Sequence, residues 1–157
     1  MTEVRSIGPD FDGWDALLSL ILSAFAFMDG LIDPPSSARR LTPDALAKKA
    51  REEIGLLAVE GDMLVGCMFL KPEEESLYIG KLAVLPSFQG RGVGRSLLEH
   101  AEALARKKGL ATLRLETRVE LAANHALFAR WGFVRTAEKS HPGFARPTSI
   151  EMRKTLV

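Results

Sequence analysis

Glycines recur at alternate positions in Gln89-Gly90-Arg91-Gly92-Val93-Gly94, between a segment with strand character and one with helix character. Without Cβ atoms the backbone there can bend sharply and approach a ligand closely. The amphipathic run behind the loop opens with amide N–H groups that have no intrahelical partner. Loop and helix start together make an anion site suited to phosphate or pyrophosphate, and Arg91 and Arg95 add full positive charges. A magnesium-dependent phosphate loop would end in Gly-Lys-Ser/Thr, whereas Gly94 is followed by Arg95-Ser96. A dinucleotide fingerprint has the spacing G-x-G-x-x-G near the start of an alternating β/α chain, and G-x-G-x-G behind a run of strands does not match it. No metal site is expected, because His100, His125 and His141 lack ligand spacing. The single cysteine, Cys67, sits in an apolar run and reads as an inert core residue.

The elements that must position this loop follow from apolar periodicity and breakers. A short strand is predicted over residues 4–7. Asp10 or Asp12 caps a helix that runs to about Met28 with Leu17, Leu20, Ile21, Ala24 and Phe25 on one face. Gly30, Pro34-Pro35 and Ser36-Ser37 break the chain over residues 29–40. Thr42 and Pro43 then start a second helix, as N-cap and first helical residue, which runs to about Glu53. Strands over 56–60 and 63–70 are joined by Gly61-Asp62, a hairpin signal. A third strand covers 76–85. Val93, Leu97, Ala101, Leu104 and Ala105 mark the buried stripe of the helix after the loop, which Gly109 ends. A strand over 112–117, a helix over 121–131 and strands over 133–139 and 149–154 complete the chain. The segment 76–117 is a strand–helix–strand unit, so its strands should be parallel neighbours. The expected class is α/β (α+β), a mixed sheet with helices on its faces.

A chain of 157 residues, 46% hydrophobic and 26% charged, fits one domain, residues 1–157. The net charge of +1, from 21 basic and 20 acidic residues, gives no footprint for nucleic acid or an anionic membrane. Residues 14–28, the longest apolar-rich stretch, contain Asp15, Ser19 and Ser23 and are too short to span a bilayer. The N-terminus does not read as a signal peptide, and a cytoplasmic protein is the expectation.

The segment from Leu82-Ala83-Val84-Leu85-Pro86 through Gln89-Gly90-Arg91-Gly92-Val93-Gly94-Arg95-Ser96 closely resembles the acyl-CoA-binding motif of the GNAT N-acetyltransferase superfamily. A second element, Asn124-His125-Ala126-Leu127-Phe128-Ala129-Arg130-Trp131-Gly132-Phe133, looks like that family's downstream helix ending in Gly-Phe. The resemblance implies a mostly antiparallel sheet with one splayed parallel strand pair, into which pantetheine enters. It implies backbone contacts from Leu82, Ala83 and Val84, a pyrophosphate on residues 89–95, and further cofactor contacts from Asn124 and Phe128. It also implies acetyl transfer from acetyl-CoA to a small primary amine by direct attack in a ternary complex, with a backbone N–H of Leu82 or Val84 facing the thioester carbonyl.

Under that resemblance a base must take the proton of the amine, and Glu116, on the strand after the cofactor helix, is the candidate; the other reading pairs it with Arg114 or Arg118. The family's usual acid is a tyrosine at the position of Phe128, and Tyr78 does not match it. His125 or His141 can supply a proton instead. Asn124 stands three positions after the family's usual asparagine, so it either reaches the cofactor or caps its helix. Two other readings stay open: a CoA-binding regulatory module without chemistry, and a protein or peptide N-acetyltransferase. The acceptor site is expected between residues 25–40 and 140–147, with Asp29 and Asp33 for a cation, or Arg39, Arg40 and Arg146 for an anion, and Phe25, Phe27 and Phe144 as walls. A monomer and a homodimer are both compatible with this reading.

Overall fold

A computed structural model describes residues 2–156. Its seven-stranded sheet has the order β1-β2-β3-β4-β5-β7-β6. The strands are β1 Glu3–Ser6, β2 Ile54–Glu60, β3 Met63–Pro72, β4 Ser76–Val84, β5 Thr112–Arg118, β6 Val134–Lys139 and β7 Ser149–Thr155. The helices are α1 Trp14–Phe25, α2 Pro43–Glu52, α3 Val93–Lys107 and α4 Ala122–Arg130. Every ladder is antiparallel except β4–β5, joined through α3 as the strand–helix–strand pattern requires. The mixed, mostly antiparallel sheet is therefore the expected one.

Local chemistry accounts for the element ends. Thr42 Oγ1 accepts the Ala45 N–H at 3.1 Å and Pro43 opens α2. Gly61, at φ 61°, turns the hairpin between Glu60 and Met63. The start of α1 differs from expectation, since neither Asp10 nor Asp12 caps it. Gly13 is the N-cap without any side-chain bond, and a Cβ there would lie 3.0 Å from the Phe11 ring that packs over it.

Alternation along β3 divides the core into two layers. Met68 and Leu70 pack with Leu97, Leu98 and Ala101 of α3, and Phe128 and Phe133 join that layer. Cys67 and Phe69 face the other way, onto Leu17, Leu20 and Ile21 of α1 and Leu46 of α2. Cys67 is fully buried, and burial pushes its thiol up to about 12, as an inert residue requires. α3 comes close to the sheet at Gly66, where a Cβ would lie 2.9 Å from Val93 Cγ1. This approach presses the first turn of α3, and the glycine loop before it, against β3.

The central irregularity lies between β4 and β5. Their ladder ends at Ile79↔Leu115. Beyond that pair, β4 stays with β3 as far as Val84↔Gly66, while β5 stays with β7 as far as Arg118↔Ser149. The strands part and open a cleft. A bulge sets Lys81 and Leu82 together opposite Met68, with Lys81 in the left-handed region at φ 50°.

Candidate active site

Two cavities open on this cleft. The first, of about 430 Å³, is lined by Leu82, Ala83 and Val84 of β4, by Phe88, Gln89, Gly90, Gly92, Val93, Gly94 and Arg95, and by Asn124, Leu127, Phe128 and Trp131. Gly90 and Gly92 have φ of 78° and 84°, with open space where a Cβ would stand. The Ser96 N–H bonds the Gly92 carbonyl at 2.9 Å. The amides of Val93, Gly94 and Arg95, earlier in the turn, have no acceptor among the described residues. Unpaired amides, a loop without Cβ atoms and the Arg95 cation are the donor set a pyrophosphate requires. Gly94 has a different reason to be glycine, because a Cβ there would lie 3.1 Å from Trp131 Cη2. Gln89 Nε2 donates to the Val84 carbonyl at 3.3 Å and ties the loop to the end of β4. Arg91 lies outside the lining and stacks on the Phe88 ring at 4.9 Å.

The second cavity, of about 410 Å³, is lined by residues 34–37, Arg40, Tyr78, Lys81, Glu116, Arg118 and His141, among others. Phe25, Met28, Leu82, Asn124 and Phe128 line both cavities, which therefore share a wall where β4 and β5 part.

Glu116 is paired, but not with Arg118. Its Oε2 accepts from Arg114 Nη1 at 2.9 Å and from Lys139 Nζ at 2.6 Å, and Oε1 has no partner among the described residues. Arg114 is the hub of this network. It also grips Glu73 through two bonds of 2.9 and 2.8 Å, reaches Glu151 at 3.3 Å and covers the Tyr78 ring at 4.5 Å. The hydrogen bonds from Arg114 hold the Glu73 carboxyl below the ordinary carboxylate range. At Glu151, burial pushes the carboxyl up, but bonds from Arg153 and Thr136 outweigh it and hold the group at about 2. Burial, together with the Glu116 charge, raises the Tyr78 hydroxyl, so Tyr78 stays protonated.

His141 lines the second cavity, and burial with the nearby Arg118 charge lowers its pKa below the ordinary 6.5. Thr148 Oγ1 accepts the His141 backbone N–H at 2.8 Å, contacts His141 Nδ1 and lies 3.4 Å from the Lys139 carbonyl. Nε2 of the ring has no partner among the described residues. His125 belongs to the lining of neither cavity, and its Nε2 donates to the Arg118 carbonyl at 2.8 Å. Asn124 is the third residue of α4 and not its cap, which is Leu121. Its side-chain amide has no partner among the described residues and borders both cavities. Phe128 meets Trp131 and Phe133 edge-on at 5.7 and 6.0 Å.

The linker after α1, part of the lining of the second cavity, is clasped in place. Arg118 donates to the carbonyls of Pro34 at 2.6 Å and Pro35 at 3.2 Å. Arg146 pairs with Asp33 at 3.4 Å and Glu120 at 3.8 Å, over the Phe144 ring. Arg146 and Asp33 thus hold one another.

The model of the acetyltransferase (GNAT) family matches residues 14–133. The chain belongs to the GNAT acetyltransferase family. It is 33% identical over 144 residues to an IAA acetyltransferase of Azospirillum brasilense, covering 90% of this chain and 92% of that protein. It is 44% identical over 61 residues to the ribosomal protein bS18-alanine N-acetyltransferase of Escherichia coli K12, spanning 39% of this chain and 40% of that enzyme. The PaiA N-acetyltransferase of Thermoplasma acidophilum, solved in complex with coenzyme A, shares the fold at a TM-score of 0.81 and 18% identity, with 99% of each chain covered. This GNAT protein is an acetyltransferase, and GNAT acetyltransferases use acetyl-CoA.

Several wall residues of this GNAT chain are not singled out by sequence reasoning. Trp131 lies inside the Gly-Phe motif, but its contact with Gly94 joins residues far apart in the chain. Lys81 reads as an ordinary strand lysine, since nothing local announces the bulge. Arg118 reads as a partner for Glu116, although its guanidinium is committed to the linker carbonyls.

Proposed function

We propose that the protein is an acetyl-CoA-dependent N-acetyltransferase for a small primary amine, with cofactor and acceptor entering the cleft from opposite sides. The shared wall of Leu82, Asn124 and Phe128 carries this reading, because it lets two ligands meet without either crossing the sheet. The amides of residues 93–95 and Arg95 would hold the pyrophosphate, and Leu82 and Val84 would offer backbone groups to the pantetheine arm and the thioester carbonyl. Acetyl-CoA supplies the activated acetyl group when it is bound.

An alkylamine arrives protonated at neutral pH, so it needs an acceptor for that proton. His141 would meet that need in the tautomer that carries its proton on Nδ1, because its pKa is lowered and its Nε2 has no partner among the described residues. The free Oε1 of Glu116 would attract and orient the ammonium. As the C–N bond forms, the C–S bond breaks and the nitrogen gives its remaining extra proton to water. The sulfur leaves as a thiolate and takes a proton from water; a thiol pKa of about 8.5 makes it an adequate leaving group, so Phe128 need donate nothing.

The clasped linker favours a small acceptor, because Arg118 fixes the carbonyls of Pro34 and Pro35, which line the second cavity. Free-thiol release from acetyl-CoA across a panel of amines tests the proposal. Turnover that falls strongly in Glu116→Gln and His141→Gln supports it. CoA binding with no turnover of any amine would instead mean a binding module.

A further inference from the structure

The acceptor-side cavity carries positive charge that no ion pair among the described residues neutralises. Lys81, Arg40 and Arg118 all line it. Among the described residues none of the three has a carboxylate within ion-pair distance. The Lys81 ammonium donates to Ser37 Oγ at 2.9 Å, a neutral partner. Arg118 is committed to two linker carbonyls, and Arg40 is exposed on the turn Ser37–Arg40 with no partner among the described residues. The carboxylate that shares the cavity, Glu116, is already held by Arg114 and Lys139. Glu53, whose charge favours the Lys81 cation, is itself paired with Lys49 at 2.9 Å.

The backbone makes an unusual arrangement to put Lys81 there. A bulge turns the side chain out of the strand alternation, and the residue adopts a left-handed φ of 50° that favours glycine. The Cys67 thiol, buried beneath, donates to the Lys81 carbonyl at 3.3 Å and fixes that turn. Burial and the like charges of Lys49 and Arg40 work against the Lys81 cation, so an arriving anion would relieve it. The pyrophosphate donors lie in the other cavity, on the loop before α3, so this second cationic site is separate from the cofactor's anion site.

We infer that Lys81 and Arg40, with the Ser37 hydroxyl, form a receptor for an anionic group, carboxylate or phosphate, carried by the acceptor amine itself. The acceptor would then be an amino acid or amino-phosphate, with its amine directed to Glu116 and His141 and its anion to Lys81. This inference rests on the acetyltransferase reading and narrows its substrate class.

The test uses matched amines with acetyl-CoA, O-phosphoethanolamine against ethanolamine and β-alanine against propylamine. The anionic member of a pair should be favoured roughly 10- to 100-fold in kcat/KM, the worth of one charge-assisted hydrogen bond. Lys81→Gln and Arg40→Gln should each bring that ratio toward one, and Lys81→Arg should restore part of it. Lys81→Gly suits the backbone, so it should keep its Tm while losing the preference. Calorimetry of O-phosphoethanolamine and ethanolamine on the CoA-loaded protein separates the two levels of the reading. Lys81-dependent binding of O-phosphoethanolamine without thiol release supports the anion receptor and sinks the small-amine acceptor reading. Thiol release without preference for anionic amines, or a preference that survives both Gln variants, overturns the receptor alone. Neither binding nor release with any anionic amine also overturns it.

Discussion

The two cavities that meet at the β4–β5 split are almost equal in size, about 430 and 410 Å³, yet they are built by different means. The cofactor side is mostly backbone: unpaired amides at the start of α3, two left-handed glycines and one cation from the same short segment. The acceptor side is made of side chains from segments far apart, held over a clasped linker and around one bulged lysine. Backbone donors recognise what every member of a cofactor class shares, whereas dispersed side chains can change one at a time. On the proposed reading, the first arrangement would fix the donor of the acyl group and the second would select its recipient.

That division can be broken experimentally. The largest effect should come from His141→Ala, which removes the proposed proton acceptor: kcat should fall by roughly 100- to 10,000-fold, with CoA affinity retained by calorimetry. In the wild type, activity should be flat around pH 7 and decline on the acid side, below the ordinary histidine value of 6.5, because the lowered pKa keeps the base free until then. An acid limb that persists unchanged in His141→Ala would assign the base elsewhere. Next in size, Arg95→Glu reverses a charge at the helix start and should weaken CoA by about 100-fold, with kcat at saturating acetyl-CoA little altered. If the amine KM rose instead, the two sides would not be separate. Phe128→Tyr, on the shared wall, should change kcat least, by a few-fold. A gain beyond about tenfold would mean that protonation of the leaving thiol limits the rate.

The same contrast explains what was legible in the sequence. The element order, the crossover through α3, the caps at Thr42 and Gly109 and the glycine loop were readable because each depends on neighbours within a few residues. Gly90 and Gly92 were legible for their conformational freedom. Gly94 was legible only as part of the pattern, since its reason is Trp131 on another helix. The acceptor wall was much less accessible. Phe25, Arg40 and His141 lay within the expected segments. The pairing of Glu116 with Lys139 depends on β6 lying beyond β7, and the φ of Lys81 depends on a mismatch between β3 and β4. Asp33 and Arg146, each expected to meet a ligand, meet one another instead.

The shared wall has a thermodynamic consequence. Phe25, Met28, Leu82, Asn124 and Phe128 cannot answer to one ligand without being felt by the other. Whatever factor bound CoA imposes on the affinity for an amine, the amine must impose on the affinity for CoA. Two pairs of dissociation constants, each measured with and without the second ligand, should close to the same ratio, and its departure from one would measure how tightly the wall links the two halves of the reaction.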